Sequence, residues 1–309
     1  MKPFVINVLF LSGLLTAILT ASLFGIPNIA AQHSLLGALP DKHKMLMEAG
    51  SPKIVFVGGS NLSFGLESKK IHERFKRPVV NTGLHAGIGL RYFATDVLPY
   101  IQDGDIVVLC PEYQHFYTDL FYGDMELVSV LFDIFQDGRK HLSFEQWYNL
   151  IDLVPRYAIS KLKFQTRNEN NATDVYSRKS FNTFGDAYLH WSRQRTKIEH
   201  AIPCTGKEVV NPKSIAFIRE FSQSVKSKGA SLCVLPPVYA ATSFNNQRIM
   251  IKSIEQEMNA YGVAFITDPV RYKLADTLFF NTNYHLTKKG VDMRTKMVMD
   301  DLQKTGLFH

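Results

Sequence analysis

Residues 54–65 read IVFVGGSNLSFG, and the interpretation of the whole sequence starts from this stretch. Four apolar residues lead into Gly58 and Gly59, and Ser60 and Asn61 follow. A short, continuously apolar run that ends in glycine predicts a buried strand that turns into a helix. Ser60 is then either a nucleophile at the end of the strand or a hydroxyl that caps the helix, because serine is common in both places.

Similar apolar runs recur along the chain and alternate with amphipathic segments. Strands are predicted at 53–59, 77–83, 104–113, 230–237 and 263–269, and helices at 68–75, 90–101, 212–229, 245–262 and 286–306. Short apolar strands that alternate with helices indicate a parallel sheet covered on both faces. We therefore predict an α/β fold, with a doubly wound, flavodoxin-like sheet of five parallel strands, in a domain formed by residues 53–309.

Residues 118–211 interrupt this alternation. They include SFEQWYNLIDLV at 143–154, which begins with the capping-box pattern of a helix, and they are rich in aromatic residues. We predict a mostly helical insertion that serves either as a lid over a site or as a packing surface for a partner.

The N-terminal segment is strongly apolar. No Asp, Glu, Lys or Arg occurs between Lys2 and Asp41, and residues 4–26 are long enough to cross a bilayer as a helix. Residues 1–30 are predicted to be a single-pass membrane anchor, with the domain outside the cytoplasm, and residues 31–52 a linker or juxtamembrane helix. A cleaved signal peptide is the alternative, although TAS at 20–22, which partly fits a cleavage site, lies inside the apolar run.

Charge and composition exclude several classes of function. The chain has 35 Lys and Arg against 28 Asp and Glu, and this modest excess is spread out, which disfavours nucleic-acid binding. The three cysteines form no CxxC pair, so neither a zinc site nor a redox pair is indicated. GGSNLSFG lacks the lysine of a phosphate-binding loop, and GLHAGIG at 83–89 is not a dinucleotide motif. The sequence predicts no cofactor and no metal.

Polar residues or glycines follow the predicted strands and precede the last helix. They are Ser60 after the first strand, Gly83 and Gly87 after the second, Glu112 and Tyr113 after the third, and His285 before the last helix. Because ligands bind at the carboxyl ends of parallel strands, we expect Ser60 and His285 to meet at one edge of the sheet. A hydroxyl, a base and nearby backbone N–H groups are what nucleophilic catalysis needs.

Four blocks of this sequence resemble those of the SGNH (GDSL-type) hydrolase superfamily. They are IVFVGGSNLSFGL, VVNTGLHAGIG, GDIVVLCPEYQHFY and LFFNTNYHLTKKGVDMRT, and the resemblance covers residues 53–302 apart from the insertion. It is closest to the membrane-anchored branch that accompanies membrane-bound O-acyltransferases in bacterial cell-envelope polysaccharide systems. It implies that Ser60 is the nucleophile and His285 the general base, with the N–H groups of Ser60 and of Gly87 or Gly83 binding the oxyanion.

We also expect polar and aromatic side chains to line a substrate pocket near these residues. The candidates are Asn61, Glu112, Tyr113, Asp186 and Tyr284. For Glu112, an ion pair with Arg294 is the structural alternative.

The sequence departs from the family pattern in two places. The third-block asparagine, an oxyanion donor in the family, has no clear equivalent near Glu112, and the acid that usually precedes the histidine is Asn281 here. Asparagine can orient an imidazole but cannot stabilise imidazolium by charge. Three interpretations follow: a Ser–His dyad beside Asn281, a remote acid such as Asp276 or Asp186, or a site that has lost catalysis.

The sequence thus supports two functional hypotheses. The first is an outward-facing serine esterase or O-acyltransferase that acts on a cell-surface polysaccharide. The resemblance implies that the acyl group is acetyl and that the partner is a membrane-bound O-acyltransferase or another envelope subunit. It would reside in the bacterial cytoplasmic membrane with its domain in the periplasm or outside the cell. The second is a catalytically impaired domain that binds glycan or scaffolds a modification or export complex.

Overall fold

A computed structural model describes residues 2–163 and 174–308. Residues 164–173 of the predicted insertion lie outside the described residues. The helices are α1 (Lys2–Gly25), α2 (Ile29–His33), α3 (Leu39–Glu48), α4 (Ser60–Ser63), α5 (Ser68–Phe75), α6 (Leu90–Val97), α7 (Met125–Ser129), α8 (Phe144–Leu150), α9 (Leu153–Leu162), α10 (Pro212–Ser227), α11 (Ala241–Asn246), α12 (Arg248–Ala260) and α13 (Lys288–Lys304). The strands are β1 (Ile54–Gly58), β2 (Val79–Asn81), β3 (Ile106–Cys110), β4 (Ser231–Val234), β5 (Tyr239–Ala240) and β6 (Lys273–Leu274).

The central sheet is parallel and has four strands in the order β2-β1-β3-β4. Ile54 of β1 pairs with Val79 of β2 on one side and with Ile106 of β3 on the other. The chain therefore runs from β1 outward to β2 and returns to the opposite side of β1 as β3. The order of the strands reverses between β1 and β3, which is where α/β sheets of this kind form a crevice at their carboxyl ends.

The predicted fifth strand is not formed as a strand. Phe265 makes a single parallel bridge to Val234, with one hydrogen bond of 2.9 Å from the Ile266 N–H to the Val234 carbonyl. Pro236 and Pro237 follow Leu235, the first residue after β4, and proline has no N–H to extend a ladder. The mixed α/β fold with a parallel sheet is confirmed, whereas the five-stranded flavodoxin-like sheet is not.

Alternate residues of the strands enter two separate cores, as expected for a sheet covered on both faces. Val55 and Val57 belong to the core that holds α6, α10 and α12, whereas Ile54 and Phe56 belong to the core that holds α5 and α13. All four β1 side chains are fully buried. Burial on both faces is why β1 is apolar at every position, and it fixes the position of the turn that follows β1.

The segment predicted as a linker or juxtamembrane helix contains the helix α3, which packs into the folded domain. Leu39 and Leu46 of α3 are buried in the core, and His43 Nε2 lies 2.6 Å from a carboxylate oxygen of the buried Asp96. Because α3 carries apolar residues on one side, it can bury them against the domain, which a solvated linker could not do.

The predicted insertion is helical only in part. Helices α7, α8 and α9 lie before residue 163, whereas residues 193–211 contain neither helix nor strand. The Ser143 hydroxyl accepts a hydrogen bond of 3.2 Å from the Gln146 N–H at the start of α8, as the capping pattern predicts.

One helical stretch of the described residues, Lys2–His33, is long and apolar enough to cross a membrane, with a hydropathy of 2.2. A signal sequence meets the same criteria of length and composition. The end of α1 packs on the domain, where the Ser22 hydroxyl donates to the Ala158 carbonyl of α9 at 2.7 Å. The Lys161 ammonium, also on α9, donates to the Leu23 carbonyl at 2.8 Å.

Candidate functional site

Ser60 begins α4 immediately after the central strand. A β carbon at Gly59 would lie 2.8 Å from Glu112 Oε1 and 3.1 Å from the Ala86 α carbon, so a larger residue there would displace the Glu112 carboxylate and press on the Ala86 backbone. This close approach brings the start of α4 against the residues that follow β3. The glycine before Ser60 therefore allows the first and third strands to present their polar residues side by side.

The hydroxyl of Ser60 donates to Glu112 and not to a histidine. The distance from Ser60 Oγ to Glu112 Oε1 is 3.2 Å, and the Asn61 N–H donates to the same oxygen at 3.0 Å. In the part of the chain that the structure describes, no hydrogen bond joins Ser60 to His285. Glu112 follows the strand next to β1, so this contact lies at the switch point of the sheet.

His285 is held close to Ser60 by the residues that follow Ser60. Its ring stacks on Phe64, with ring centres 4.3 Å apart, and the Leu286 N–H donates to the Phe64 carbonyl at 3.2 Å. Ser60 and His285 both line one cavity of about 610 Å³. The sheet edge thus brings the serine and the histidine into one cavity, although they are not bonded to each other.

Two side chains contact the Nδ1 atom of His285. Asn281 Oδ1 lies 3.2 Å from it and the Tyr176 hydroxyl 3.1 Å, and Asn281 Nδ2 donates to the same hydroxyl at 2.6 Å. If Nδ1 carries a proton, it can donate to the Asn281 oxygen and the Tyr176 hydroxyl. Without that proton, the lone pair of Nδ1 would face the lone pair of the amide oxygen, which is unfavourable. This arrangement favours the tautomer whose Nε2 carries the lone pair, as a general base requires.

Burial keeps His285 neutral. Burial, together with the nearby His190 and His85, lowers the pKa of His285 to about 3. Asn281 brings no negative charge that would stabilise imidazolium. The imidazole is therefore ready to accept a proton over the whole neutral range but holds it weakly.

The backbone donors expected from Gly83 and Gly87 already have acceptors. The Gly83 N–H donates to Asn81 Oδ1 at 3.0 Å, and the Gly87 N–H donates to His85 Nδ1 at 3.1 Å. Either donor would have to exchange its partner to bind an oxyanion.

Arg294 lies beneath the site and does not pair with Glu112. Its guanidinium donates to the backbone carbonyl of Asn61 and, at 2.9 Å, to Asn61 Oδ1. Asn61 is fully buried and does not line the cavity, so its side chain connects Arg294 to the turn after β1. The ion pair that was the structural alternative for Glu112 is therefore not formed, and the Asn61 amide lies between the two side chains.

Neither remote acid reaches His285. Asp186 is fully buried and accepts from the N–H and hydroxyl of Ser68 at 2.7 and 2.6 Å and from Asn81 Nδ2 at 2.9 Å. Asp276 accepts from the Thr242 hydroxyl at 2.5 Å. Neither lines the cavity, so Asp186 is placed in the support of the fold and not in a pocket.

The cavity is bounded by segments that sequence reasoning did not select. Tyr284 and Glu112 line it, whereas Tyr113 is buried behind it and donates its N–H to the Tyr284 hydroxyl at 3.2 Å. The lining residues that were missed include Ala30, His33, Ser34 and Leu35 after α1, and Asp174, Tyr176 and Ser177. The Leu35 N–H donates to the Tyr176 carbonyl at 2.8 Å, which joins the two segments. No local pattern marks Tyr176, because its role depends on this long-range pairing.

Metal ligands are not clustered in the described ranges, 2–163 and 174–308. No group of three or more His, Cys, Asp or Glu side chains there is arranged to hold a metal ion. The free thiol of Cys110 beneath the site is buried, and burial raises its pKa to about 12. Ser60, Glu112, His285 and Tyr176 therefore supply a hydroxyl, a carboxylate, a neutral imidazole and a phenol at the site.

No model of a known protein family matches this chain, and no curated protein matches it. The resemblance to the SGNH superfamily therefore remains a prediction from the sequence blocks.

Proposed function

We propose that this chain is a membrane-anchored serine esterase or O-acyltransferase of SGNH type, which carries an acyl group on Ser60. The observation that supports the proposal is the single cavity lined by both Ser60 and His285 at the switch point of the sheet. Residues 30–35, which follow α1, form part of the wall of this cavity. The cavity therefore lies next to the membrane anchor, where a membrane-embedded donor can transfer an acyl group to Ser60.

The chemistry begins when the Ser60 hydroxyl leaves Glu112 and donates to His285 Nε2. Such hydrogen bonds often form only in the complex with substrate. Ser60 Oγ attacks the acyl carbonyl while its proton passes to the imidazole, and the departing alcohol takes that proton when the tetrahedral intermediate collapses. A sugar hydroxyl or water, deprotonated by His285, then attacks the acyl-serine and regenerates Ser60.

The proposed substrate is a cell-surface polysaccharide, and the proposed donor is a membrane-bound O-acyltransferase partner in the bacterial cytoplasmic membrane. The domain then faces the periplasm or the cell exterior. Acetyl is the acyl group expected from the resemblance. Transfer to a sugar gives an acetyltransferase and transfer to water an esterase, because both share the acyl-serine.

A glycan-binding or scaffolding role is the second candidate, and one contact favours it. Glu112 accepts the Ser60 hydroxyl where the family has an amide that donates to the oxyanion. An ionised carboxylate cannot donate, and its charge opposes a developing oxyanion. Such a site binds ligands without acyl transfer.

Labelling of the full chain in detergent by a fluorophosphonate probe distinguishes the two roles. We expect covalent labelling that is lost in Ser60→Ala and His285→Ala. Ser177→Ala is the matched control, because Ser177 is a serine of the same cavity, and it should label normally. Unlabelled wild-type protein, or labelling that survives Ser60→Ala, would contradict the enzymatic proposal.

A further inference from the structure

The insertion carries an exposed apolar surface, which we call the α8–α9 face. Phe144 is 87% exposed, Tyr148 70% and Ile151 62%. Their spacing of four and three residues places them on one side of a helical path. The face is completed by Trp147 and Pro155, and by Ile159 and Leu162 on α9; the last two are 48% and 43% exposed.

The face also contains a hollow that is almost entirely apolar. The hollow has a volume of about 450 Å³ and is lined by Phe132, Phe144, Trp147, Tyr148, Ile151, Val154 and Pro155. Large aromatic side chains exposed together in this way mark an interaction surface in a folded protein.

This face is continuous with the end of α1. The ring of Phe132, in the hollow, meets Phe24 of α1 edge-on, with ring centres 5.6 Å apart. The Arg139 guanidinium lies over both rings, 4.7 Å from Phe132 and 5.7 Å from Phe24. Helix α9 is joined to α1 by the contacts of Ser22 and Leu23. The exposed aromatic residues therefore lie beside the point where the apolar helix meets the domain.

We propose that the α8–α9 face inserts into the headgroup–acyl boundary of the bilayer that α1 crosses. Trp and Tyr favour this boundary because their apolar rings leave water while their polar atoms stay hydrated, and Phe adds apolar area to the inserted face. The end of α1 holds the face next to the bilayer, so insertion requires no separate encounter. The inference rests on the membrane anchor of the proposed function and is independent of the acyl-transfer chemistry.

The two tryptophans of the chain make the proposal measurable. In Trp191→Phe, Trp147 is the only indole. The full-length variant is reconstituted into phosphatidylcholine vesicles whose acyl chains carry bromine near the headgroup. An interfacial helix buries its apolar face about 5–10 Å into this region, so we expect Trp147 emission to be quenched about twofold relative to vesicles of unbrominated lipid.

Two comparisons make the result specific. Trp147→Phe leaves Trp191, which packs with the opposite core of the sheet near Lys288, and its emission should not respond to bromine. Phe144→Glu combined with Tyr148→Glu, in the Trp191→Phe background, should abolish the quenching of Trp147 while the protein still floats with vesicles.

The outcomes separate this inference from the proposed function. Protein that floats with vesicles while Trp147 stays unquenched would overturn the inference and leave the anchor intact. Protein that does not float would overturn both the anchor and the inference. Fluorophosphonate labelling of the same vesicles reports on Ser60 in either case.

Discussion

At the scale of single residues, Glu112 governs the state of Ser60. Its carboxylate accepts from both the Ser60 hydroxyl and the Asn61 N–H. The same position can therefore act as a competitor for the serine proton or as a base that removes it. These two roles predict opposite effects of one substitution.

We expect Glu112→Gln to increase the rate of fluorophosphonate labelling of Ser60 by about a hundredfold. Glutamine removes the negative charge and offers an N–H₂ donor to the developing oxyanion, and one such donor is worth about 2–4 kcal/mol in acyl transfer. The rate is measured under pseudo-first-order conditions at pH 7.5, and Gln114→Glu, a change at an exposed neighbour, is the control. A large decrease in Glu112→Gln would identify Glu112 as the base and contradict the role assigned to His285.

The pH dependence of His285 gives a second test. Burial lowers the pKa of this histidine to about 3, below its ordinary value, so the folded protein disfavours the charged form. The imidazole should stay neutral between pH 8 and 5 and gain a proton only as the pH falls toward 3. Between pH values of about 6.5 and 3, this histidine is protonated in the unfolded chain but neutral in the folded protein. The unfolded chain therefore binds more protons in this window, and the free energy of unfolding decreases as the pH falls below about 6.5.

Deuterium exchange at the imidazole C2 position, followed by mass spectrometry of peptides, measures this directly. We expect the exchange rate of His285 to show no inflection between pH 5 and 8, in contrast to free histidine. An inflection near pH 6.5 would mean that the imidazole is solvated and that the cavity does not bury it.

At the scale of elements, Asp186 connects the start of α5 to the end of β2. It accepts from Ser68 at the first turn of α5 and from Asn81 at the end of β2. The buried Lys42 lies near it, and although burial lowers the pKa of Lys42 to about 7, Asp186 opposes that shift. The carboxylate thus joins α5 to the end of β2, and its charge lies near the Lys42 ammonium, which itself donates to the Asn81 and Gly185 carbonyls at 2.7 Å each.

We expect Asp186→Ala to lower the free energy of unfolding by about 3 kcal/mol, because it leaves buried donors without an acceptor. Asp186→Asn should cost less, since its oxygen can still accept. The midpoint of thermal unfolding of the full chain in detergent measures both. Asp276→Ala is the control, because this partly exposed carboxylate should contribute less than about 1 kcal/mol. A stable Asp186→Ala that no longer reacts with the probe would restore Asp186 as a catalytic acid.

At the scale of the whole molecule, the end of the apolar N-terminal helix packs on the domain. Lys161 and Asp133 make a buried ion pair of 2.9 Å, and the same ammonium donates to the Leu23 carbonyl. Asp133 also accepts from the Tyr157 hydroxyl at 2.5 Å and from the Asn28 N–H at 2.8 Å. This cluster connects the helix to the segment that walls the cavity.

We expect Lys161→Met to destabilise the full chain by about 3 kcal/mol or more, since it leaves the Asp133 charge buried and unpaired. Lys163→Met, at an exposed site nearby, should have little effect on the unfolding midpoint. Double substitution with Asp133→Asn should recover part of the loss. Equal midpoints for Lys161→Met and the wild type would show that the pair does not join the helix to the domain.

The sequence by itself determined the parts of this protein that depend on local pattern. Continuous apolar runs predicted β1 and β3, and helical periodicity predicted α5, α10 and α13, because burial imposes these patterns over a few residues. The carboxyl ends of parallel strands lie at one edge of the sheet, and this rule correctly predicted that Ser60 and His285 lie near each other, in one cavity. The apolar N-terminal helix was likewise evident from composition.

Only the tertiary structure decided which atoms meet in the site. Glu112 in place of His285 as the partner of Ser60, Tyr176 on His285 Nδ1, and Asp186 as a support were not readable from spacing. Nor was the failure of the fifth strand or the burial of the predicted linker. Hydrogen bonds form or fail over tenths of an ångström, and the segments that make these contacts are up to 118 residues apart. Local pattern selects elements, whereas the packing of distant segments sets such distances.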